Sequence, residues 1–422
     1  MAKTYDTYKD SGIAWIGEIP GEWEVSKMKY IGTYINGYAF KPTDWQNSGK
    51  PIIRIQDLTG SISNSNYYNG DLEEKYLVKK GDILVSWAAT LDAFIWEKEE
   101  EGWLNQHIFK ALPNISVINK HYFFWLVKVA MSEMNNDNKH GIVMQHVTLG
   151  VFNLFKIPLP PLSEQEDIAT CLDKKCGEID SLISIQEEMI SELLAYKQSV
   201  ITEAVTKGLD KKAKMKNSGV EWIGDIPEHW IPTYPKIMFK QRNERAKQGE
   251  RQLASSQKYG IVYQDEYMKQ EGVNLVTVGK NFDILKHVEP NDFVISMRSF
   301  QGGLEYSDKA GCISSAYVML IPNEELVYPP FFRWFFKSVK YINALQSTSN
   351  FVRDGQAMRY SHFIKVTLFQ IPLLEQRTIA SYLDEKIPQI DSLIALKQSK
   401  IESLKEYKKS IIYEYVTGKK RV

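Results

Sequence analysis

The stretch Ser11-Gly12-Ile13-Ala14-Trp15-Ile16-Gly17-Glu18-Ile19-Pro20, followed by Trp23, returns later in the chain as Ser218-Gly219-Val220-Glu221-Trp222-Ile223-Gly224-Asp225-Ile226-Pro227, followed by Trp230. Chance does not reproduce such a run, and an internal repeat decides the architecture before any local reading. Working outward, Gly81-Asp82-Ile83-Leu84-Val85-Ser86 is echoed by Asn291-Asp292-Phe293-Val294-Ile295-Ser296, and Leu112-Pro113-Asn114 by Ile321-Pro322-Asn323. Phe123, Trp125 and Lys128 correspond to Phe332, Trp334 and Lys337, and Gly141 with Met144-Gln145 to Gly355 with Met358-Arg359. Ile157-Pro158-Leu159 pairs with Ile371-Pro372-Leu373, and Glu164-Gln165 with Glu375-Gln376. Order is kept throughout, so the chain is a long, imperfect duplication.

Each half reads as a mixed globular region followed by a long helix. In the globular regions, runs rich in Val, Ile and Tyr are bounded by Gly, Asn, Asp and Pro, as at 51–55 and 81–87, which predicts strands joined by turns. The segments Glu164–Val205 and Glu375–Val416 are helix formers with almost no glycine, each reaching roughly 60 Å at about 1.5 Å per residue. Along the first, Leu172, Cys176, Ile179, Ile183, Ile190, Leu193, Val200 and Ala204 follow alternating three- and four-residue steps. Leu383, Ile387, Ile390, Ile394, Ile401, Leu404, Ile411 and Tyr415 repeat that seam in the second. Skipped positions hold Gln186 and Lys197 in one helix, Lys397 and Lys408 in the other. A seam this long needs a helical partner, and polar breaks in register set the pairing. The two helices are therefore expected to pair with each other, with Pro388 bending or delaying the start of the second.

The expected fold is α+β: two similar globular domains, separated and joined by two long antiparallel coiled-coil helices with pseudo-two-fold symmetry. The boundaries read as 1–160 for the first domain, 161–216 for the central helix, 217–374 for the second domain and 375–422 for the C-terminal helix. A Lys-rich link, Thr206 to Ser218, joins the halves.

Composition excludes several classes. With 422 residues, 43% hydrophobic and 25% charged, the chain is that of a globular protein of two or three domains, without an uninterrupted membrane span. Residues 1–11 lack the basic-then-apolar layout of a secretion signal, and three cysteines, Cys171, Cys176 and Cys312, fit a reducing compartment; a cytoplasmic location is expected. Neither these cysteines nor the seven histidines have metal-ligand spacing, so no metal is assigned. Lys+Arg and Asp+Glu both number 52, which argues against nonspecific coating of nucleic acid but leaves local basic clusters. These are Lys207 to Lys216 and Lys236 to Arg251, whose plain reading is a solvated linker and a solvated helix face. No phosphate-binding loop, zinc-protease helix, nucleophile elbow or dinucleotide fingerprint occurs. No Asn-Pro-Pro-aromatic run of an amino-methyltransferase is present either.

Together the twice-used Trp-Ile-Gly-x-Ile-Pro opening, the Gly-Asp-Ile-Leu-Val-Ser strand, the Ile-Pro-Leu-Pro-Pro-Leu-x-Glu-Gln junction at 157–165 and the Leu-Asp to Ile-Asp-Ser-Leu-Ile helices resemble specificity subunits of type I restriction-modification systems. The resemblance spans essentially the whole chain. It departs at Ile371-Pro372-Leu373-Leu374-Glu375-Gln376, which lacks the extra prolines, and at Asn291-Asp292, where Gly-Asp is the pattern. It implies that each globular region is a target recognition domain reading half of a bipartite double-stranded DNA site. It also implies that the paired helices set the half-site gap and dock two modification subunits, with restriction subunits beyond them. The chain itself would be non-catalytic, with S-adenosylmethionine, magnesium and ATP bound by partner subunits and none by this chain.

Fixed spacing between reading heads follows protein symmetry, and base contacts favour bidentate Arg to guanine and Gln or Asn to adenine. Candidate DNA contacts in the first head are Ser86, Trp87, Thr90, Gln106, His107 and Gln145; in the second, Arg298, Ser299, Gln301, Ser314, Ser315 and Arg359. Each stands beside a predicted strand end or turn, against the plainer reading of an ordinary polar loop residue. Trp15, Trp23, Trp222 and Trp230 read as packing residues. Three rivals remain: a stand-alone two-domain DNA-binding regulator, an unfamiliar enzyme with an active site in each half, and a coiled-coil scaffold. The enzyme reading would need matching acids or nucleophiles in both halves; Asp82 and Asp292 match but read as turn residues.

Overall fold

A computed structural model describes residues 4–60, 66–138, 147–278, 282–296, 299–348 and 358–422. The chain divides into two compact units, residues 1–186 with 399–422, and residues 187–398.

The first unit is built on a four-stranded antiparallel sheet in the order Gly32–Asn36, Ile108–Pro113, Ile83–Ser86, Asp92–Ile95. Strand Ile83–Ser86 is buried on both faces, which explains its unbroken apolar run. One face meets Tyr122, Phe123, Leu126 and Ala130 of helix Lys120–Asn138; the other covers a satellite core of Ile53, Val78, Leu84, Trp96, Leu104 and Ile108. That satellite belongs to a second sheet, ordered Tyr67–Tyr68, Lys50–Ile53, Gly102–Leu104, Leu77–Val78.

The second unit repeats the main sheet as Phe239–Arg242, Val318–Pro322, Phe293–Ile295, Glu305–Tyr306, backed by Phe331, Phe332 and Phe335 of helix Pro329–Phe335. Where the first unit has its second sheet, this one has two strand pairs linked by a bridge from Gln252 to Cys312. Leu253–Ser256 pairs with Gly260–Tyr263, and Lys286–Val288 with Gly311–Ile313. Equivalent turns open the central strands: Asp82 Oδ2 accepts from the Lys79 N–H and Asp292 Oδ2 from the Glu289 N–H, both at 2.9 Å. The residues before them, Gly81 (φ 86°) and Asn291 (φ 76°), are both left-handed. Asn is among the few side chains that tolerate this conformation, so Asn-Asp replaces Gly-Asp without changing the turn.

The long helices run Leu162–Lys207 and Leu373–Val416, each within two residues of the predicted start and end. Pro388 does not delay the second helix, which starts at Leu373 and carries the proline inside it. The Ser392 hydroxyl donates to the Pro388 carbonyl at 2.8 Å, within the same helical stretch.

Each unit contains part of both helices, paired antiparallel. In the first, Leu172, Cys176 and Ile179 share a core with Ile411 and Tyr415, Ile183 and Leu404 pack at its edge, and Lys408 Nζ reaches the Asp180 carboxylate at 2.6 Å. In the second, Val200 and Ala204 share a core with Leu383, Ile387, Ile390 and Ile394, while Ile190 and Leu193 pack at its edge. Lys197 Nζ there reaches Asp391 at 2.6 Å. Ile401 is buried as well. Two of the skipped seam positions, Lys197 and Lys408, thus hold lysines that cross to a carboxylate at matching places. No helix among the described residues is long and apolar enough to cross a membrane.

Candidate nucleic-acid interface

The repeated sequence signatures are joints of this frame. Trp23 and Trp230 are fully buried, and each indole N–H donates to the glutamate that opens a long helix: Trp23 to Glu164 at 2.9 Å, Trp230 to Glu375 at 3.2 Å. The next residue, Gln165, is buried; it accepts from the Asn119 N–H at 2.8 Å and donates to the carbonyls of Pro160 (2.8 Å) and Val117 (3.3 Å). Gln376 repeats the grip on the Tyr328 N–H and the Leu326 and Ile371 carbonyls. About two turns on, Asp173 accepts from Trp125 Nε1 at 2.7 Å and Asp384 from Trp334 Nε1 at 2.6 Å. Trp15 stacks on Phe155 at 5.6 Å, and Trp222 lies edge-on to Phe335, Tyr341 and Phe369. All four tryptophans are packing residues, as their positions in the repeat predict.

With the frame occupied in this way, the side chains left for a candidate interface are those at the far ends of the sheet strands. In the first unit, Ser86 faces Ile108, so the turn after one strand and the turn before the other lie side by side. Trp87, Gln106 and His107 meet there. The Trp87 backbone N–H donates to the His107 carbonyl (3.4 Å) and its indole N–H to the Gln106 carbonyl (3.2 Å), while the ring stacks on Phe109 at 5.9 Å. Gln106 Nε2 and His107 Nε2 are 3.3 Å apart, and His107 and Thr90 are exposed. Gly37 makes this crowding feasible: a Cβ on it would stand 2.0 Å from the Asn105 carbonyl oxygen.

Ser86 is corrected by the structure. It is fully buried, and its hydroxyl donates to the Ala88 carbonyl at 3.2 Å, so it closes the turn instead of facing outward. Ser299 is corrected for the same reason: it is 1% exposed, and its Oγ accepts from the Ser296 N–H at 2.8 Å. A hydroxyl just past a strand end serves the local backbone first. Gln145 and Arg298 lie outside the described residues.

In the second unit, the turn between Gly311–Ile313 and Val318–Pro322 exposes Ser314 and Ser315, which line a groove of about 930 Å³. Its opposite wall is the Leu253–Ser256 hairpin, with Ser255, Gln257 and Lys258, beside Tyr267. Gln301 is exposed on the short helix Ser299–Gly302, and Arg359 is exposed ahead of helix Tyr360–Phe363. Neither belongs to the groove lining. Ser255, Gln257 and Lys258 were missed because none of the sequence matches between the halves falls on this hairpin.

Charge is largely committed inside this unit. The stretch Lys236–Arg251 is a short helix, a strand and a loop, not one helix face. Arg242 is clamped by Asp292 (2.7 Å) and Glu244 (2.7 Å), and Arg251 by Asp265 and Glu266. Burial pushes the Asp292 carboxyl above its usual value although Arg242 opposes it. Lys286, half-buried on the Tyr317 carbonyl at 2.6 Å, is pushed down by burial. Lys236, Lys240 and Lys247 remain exposed. Among the described residues no group of three or more His, Cys, Asp or Glu is arranged to hold a metal.

The geometry is thus two similar frames that end in unlike sets of donors and acceptors. A family model described as the type I restriction modification DNA specificity domain matches residues 20–194. The chain is 24% identical over 408 residues to the EcoBI specificity subunit, a type I restriction enzyme component of Escherichia coli, covering 89% of this chain and 81% of that one. It is 25% identical over 431 residues to the type I restriction enzyme MjaVIII specificity subunit of Methanocaldococcus jannaschii, covering 96% and 94%. A chain solved in work on complex assembly and conformational transition of the type I restriction-modification system shares the fold, with a TM-score of 0.66 at 14% identity over 95% of this chain and 99% of that one. The likeness runs the length of both halves, and these comparisons support a specificity subunit of a type I restriction-modification system.

Proposed function

We propose that each unit reads one half of a bipartite DNA site and that the long helices hold modification subunits in place for adenine methylation, and restriction subunits for cleavage. As a specificity subunit, the chain is the DNA-recognising, non-catalytic component of its enzyme. The single observation that carries the bipartite reading is the duplicated frame ending in diverged turns. Asn105, Gln106 and His107 stand in the first unit where Ser314, Ser315 and Ala316 stand in the second. Two unlike heads on one frame suit two unlike half-sites with an unread gap.

Docking of two copies of one partner is supported by what repeats on the outside of the helices. Leu182 and Ile185 are 47% and 49% exposed, and their counterparts Leu393 and Leu396 are 48% and 67% exposed. Tyr196 and Tyr407 are likewise exposed counterparts. Large apolar side chains kept in solvent at matching places favour a repeated protein contact. S-adenosylmethionine, magnesium and ATP would serve the partner subunits, and the work would be done in the cytoplasm. The stand-alone regulator is not favoured, because the relatives are components of restriction enzymes.

The test is a genome-wide adenine methylation map of cells expressing this chain with its neighbouring modification gene, against either alone. A split motif methylated only when both are present is expected. If both proteins are made and no such motif is methylated, the reading fails.

A further inference from the structure

Arg54 is the only arginine ahead of Arg242 in the sequence, and the fold brings it to the recognition end of the first unit. Strand Lys50–Ile53 runs parallel to Gly102–Leu104, with Ile53 opposite Leu104. The Asn105 N–H donates to the Ile53 carbonyl at 3.2 Å, so Arg54 leaves its strand beside the turn that carries Gln106 and His107. Its backbone is fixed: the Arg54 N–H donates to Asp57 Oδ2 at 2.8 Å, opening helix Ile55–Thr59. Its guanidinium lies 4.6 Å from the centre of the Trp45 ring, and Trp45 is itself 45% exposed.

This arrangement differs from that of three arginines in the second unit. Arg242, Arg251 and Arg333 are each ion-paired with carboxylates. Asp57 meets the Arg54 backbone, and among the described residues no ion pair to the Arg54 guanidinium is present. A guanidinium lying on an aromatic face keeps its charge and in-plane N–H donors, and its orientation is limited without neutralisation.

We infer that Arg54, oriented by Trp45, reads a guanine in the half-site of the first unit through the base's O6 and N7 edge. This rests on the reading that the unit recognises DNA. An oriented planar fork can pair at two points with guanine O6 and N7 as it can with a phosphate; the place of Arg54 beside the turn that carries Gln106 and His107, candidate base contacts, favours the guanine edge. Trp45 is a positioning residue.

The experiment uses the full chain with its modification subunits and reads the methylated motif of the unmodified chain, Arg54→Lys, Arg54→Ala and Trp45→Ala. Discrimination at one G·C pair in one half-site should drop roughly 5- to 150-fold in both Arg54 variants, with the other half-site read as before. The intact second half-site reports that the complex still folds and assembles. Trp45→Ala should relax the same pair by less. Lys keeps the charge for a phosphate contact but lacks the planar fork, oriented on Trp45, that presents two donors to O6 and N7 in a fixed geometry. An unchanged motif in Arg54→Lys, with methylation lowered evenly in Arg54→Ala, therefore overturns the inference in favour of a phosphate contact. An unchanged motif at unchanged rate removes Arg54 from the interface. If the unmodified chain yields no split motif, the underlying DNA reading fails, and the guanine assignment falls with it.

Discussion

Arg54 in the first unit and Ala254 in the second stand at the same point of the frame. Gln252 bridges Cys312 as Ile52 pairs with Trp103, so Leu253 takes the place of Ile53 and Ala254 that of Arg54. Up to that point both chains bury an aliphatic side chain, Ile53 at 1% and Leu253 at 5% exposure. Beyond it the first unit turns into a helix behind an arginine, whereas the second continues as a hairpin that walls a groove of hydroxyl and amide groups. The frame ends where buried apolar pairing ends. Past that line no core contact constrains the side chain, and under the proposed reading the two units are free to meet different bases.

The largest test of that line is an exchange of residues 1–160 for the matching region of another specificity subunit. One half of the methylated motif should change and the other stay; a change in both halves would break the independence of the units. Next come the two glutamine joints. Gln165→Ala strands the Asn119 N–H and two carbonyls, and Gln376→Ala strands the Tyr328 N–H and two carbonyls. Each should cost about 2–4 kcal/mol in denaturant unfolding, since stranded buried groups cost ~1–3 kcal/mol apiece and part of that is recovered by water. Hydrogen exchange should accelerate only in the unit that holds the changed glutamine; loosening of both would mean the units are not separate.

Thiols give a probe of intermediate size. Burial pushes Cys176, in the first unit, and Cys312, in the second, up to about 11 from the ordinary 9.0. An acid whose folded pKa is raised contributes stability that is complete below the unfolded value and lost as pH climbs through the folded one. Both units should therefore weaken between about pH 9 and 11, and iodoacetamide at pH 8 should reach half-buried Cys171 first. Fast labelling of Cys176 or Cys312 in the folded protein at pH 8 would contradict the packing described. The smallest effect belongs to the matched lysines. Lys197→Ala and Lys408→Ala each remove one partly exposed ion pair and should cost under about 1 kcal/mol in thermal unfolding.

Much of the frame was legible in the sequence because duplication marks every residue that both halves must keep. The helix limits, the four packing tryptophans and the positions of Lys197 and Lys408 all came from matching one half to the other. The turn at Asn291 came through as well, once its left-handed φ of 76° accounted for the missing glycine. The candidate recognition surface carries no such marks, for the complementary reason: its residues differ between halves. Ser86 and Ser299 were read as outward-facing from their place at strand ends, but a hydroxyl there closes its own turn. Pro388 was read as bending or delaying the start of a helix whose start is fixed further upstream by Glu375 and Gln376, so the delay does not occur. Arg54 had one available signal, its isolation as the first unit's only arginine before the C-terminal segment, which repeat matching does not detect.

The glutamine joints touch nothing but main chain. Gln165 holds Asn119, Val117 and Pro160 where Gln376 holds Tyr328, Leu326 and Ile371, so the same three bonds survive a change of every residue they meet. A clasp that ignores side-chain identity lets the surrounding sequence drift at little risk to the scaffold. Such tolerance is what a lineage needs if its recognition loops are to be rewritten often while its assembly surface stays the same.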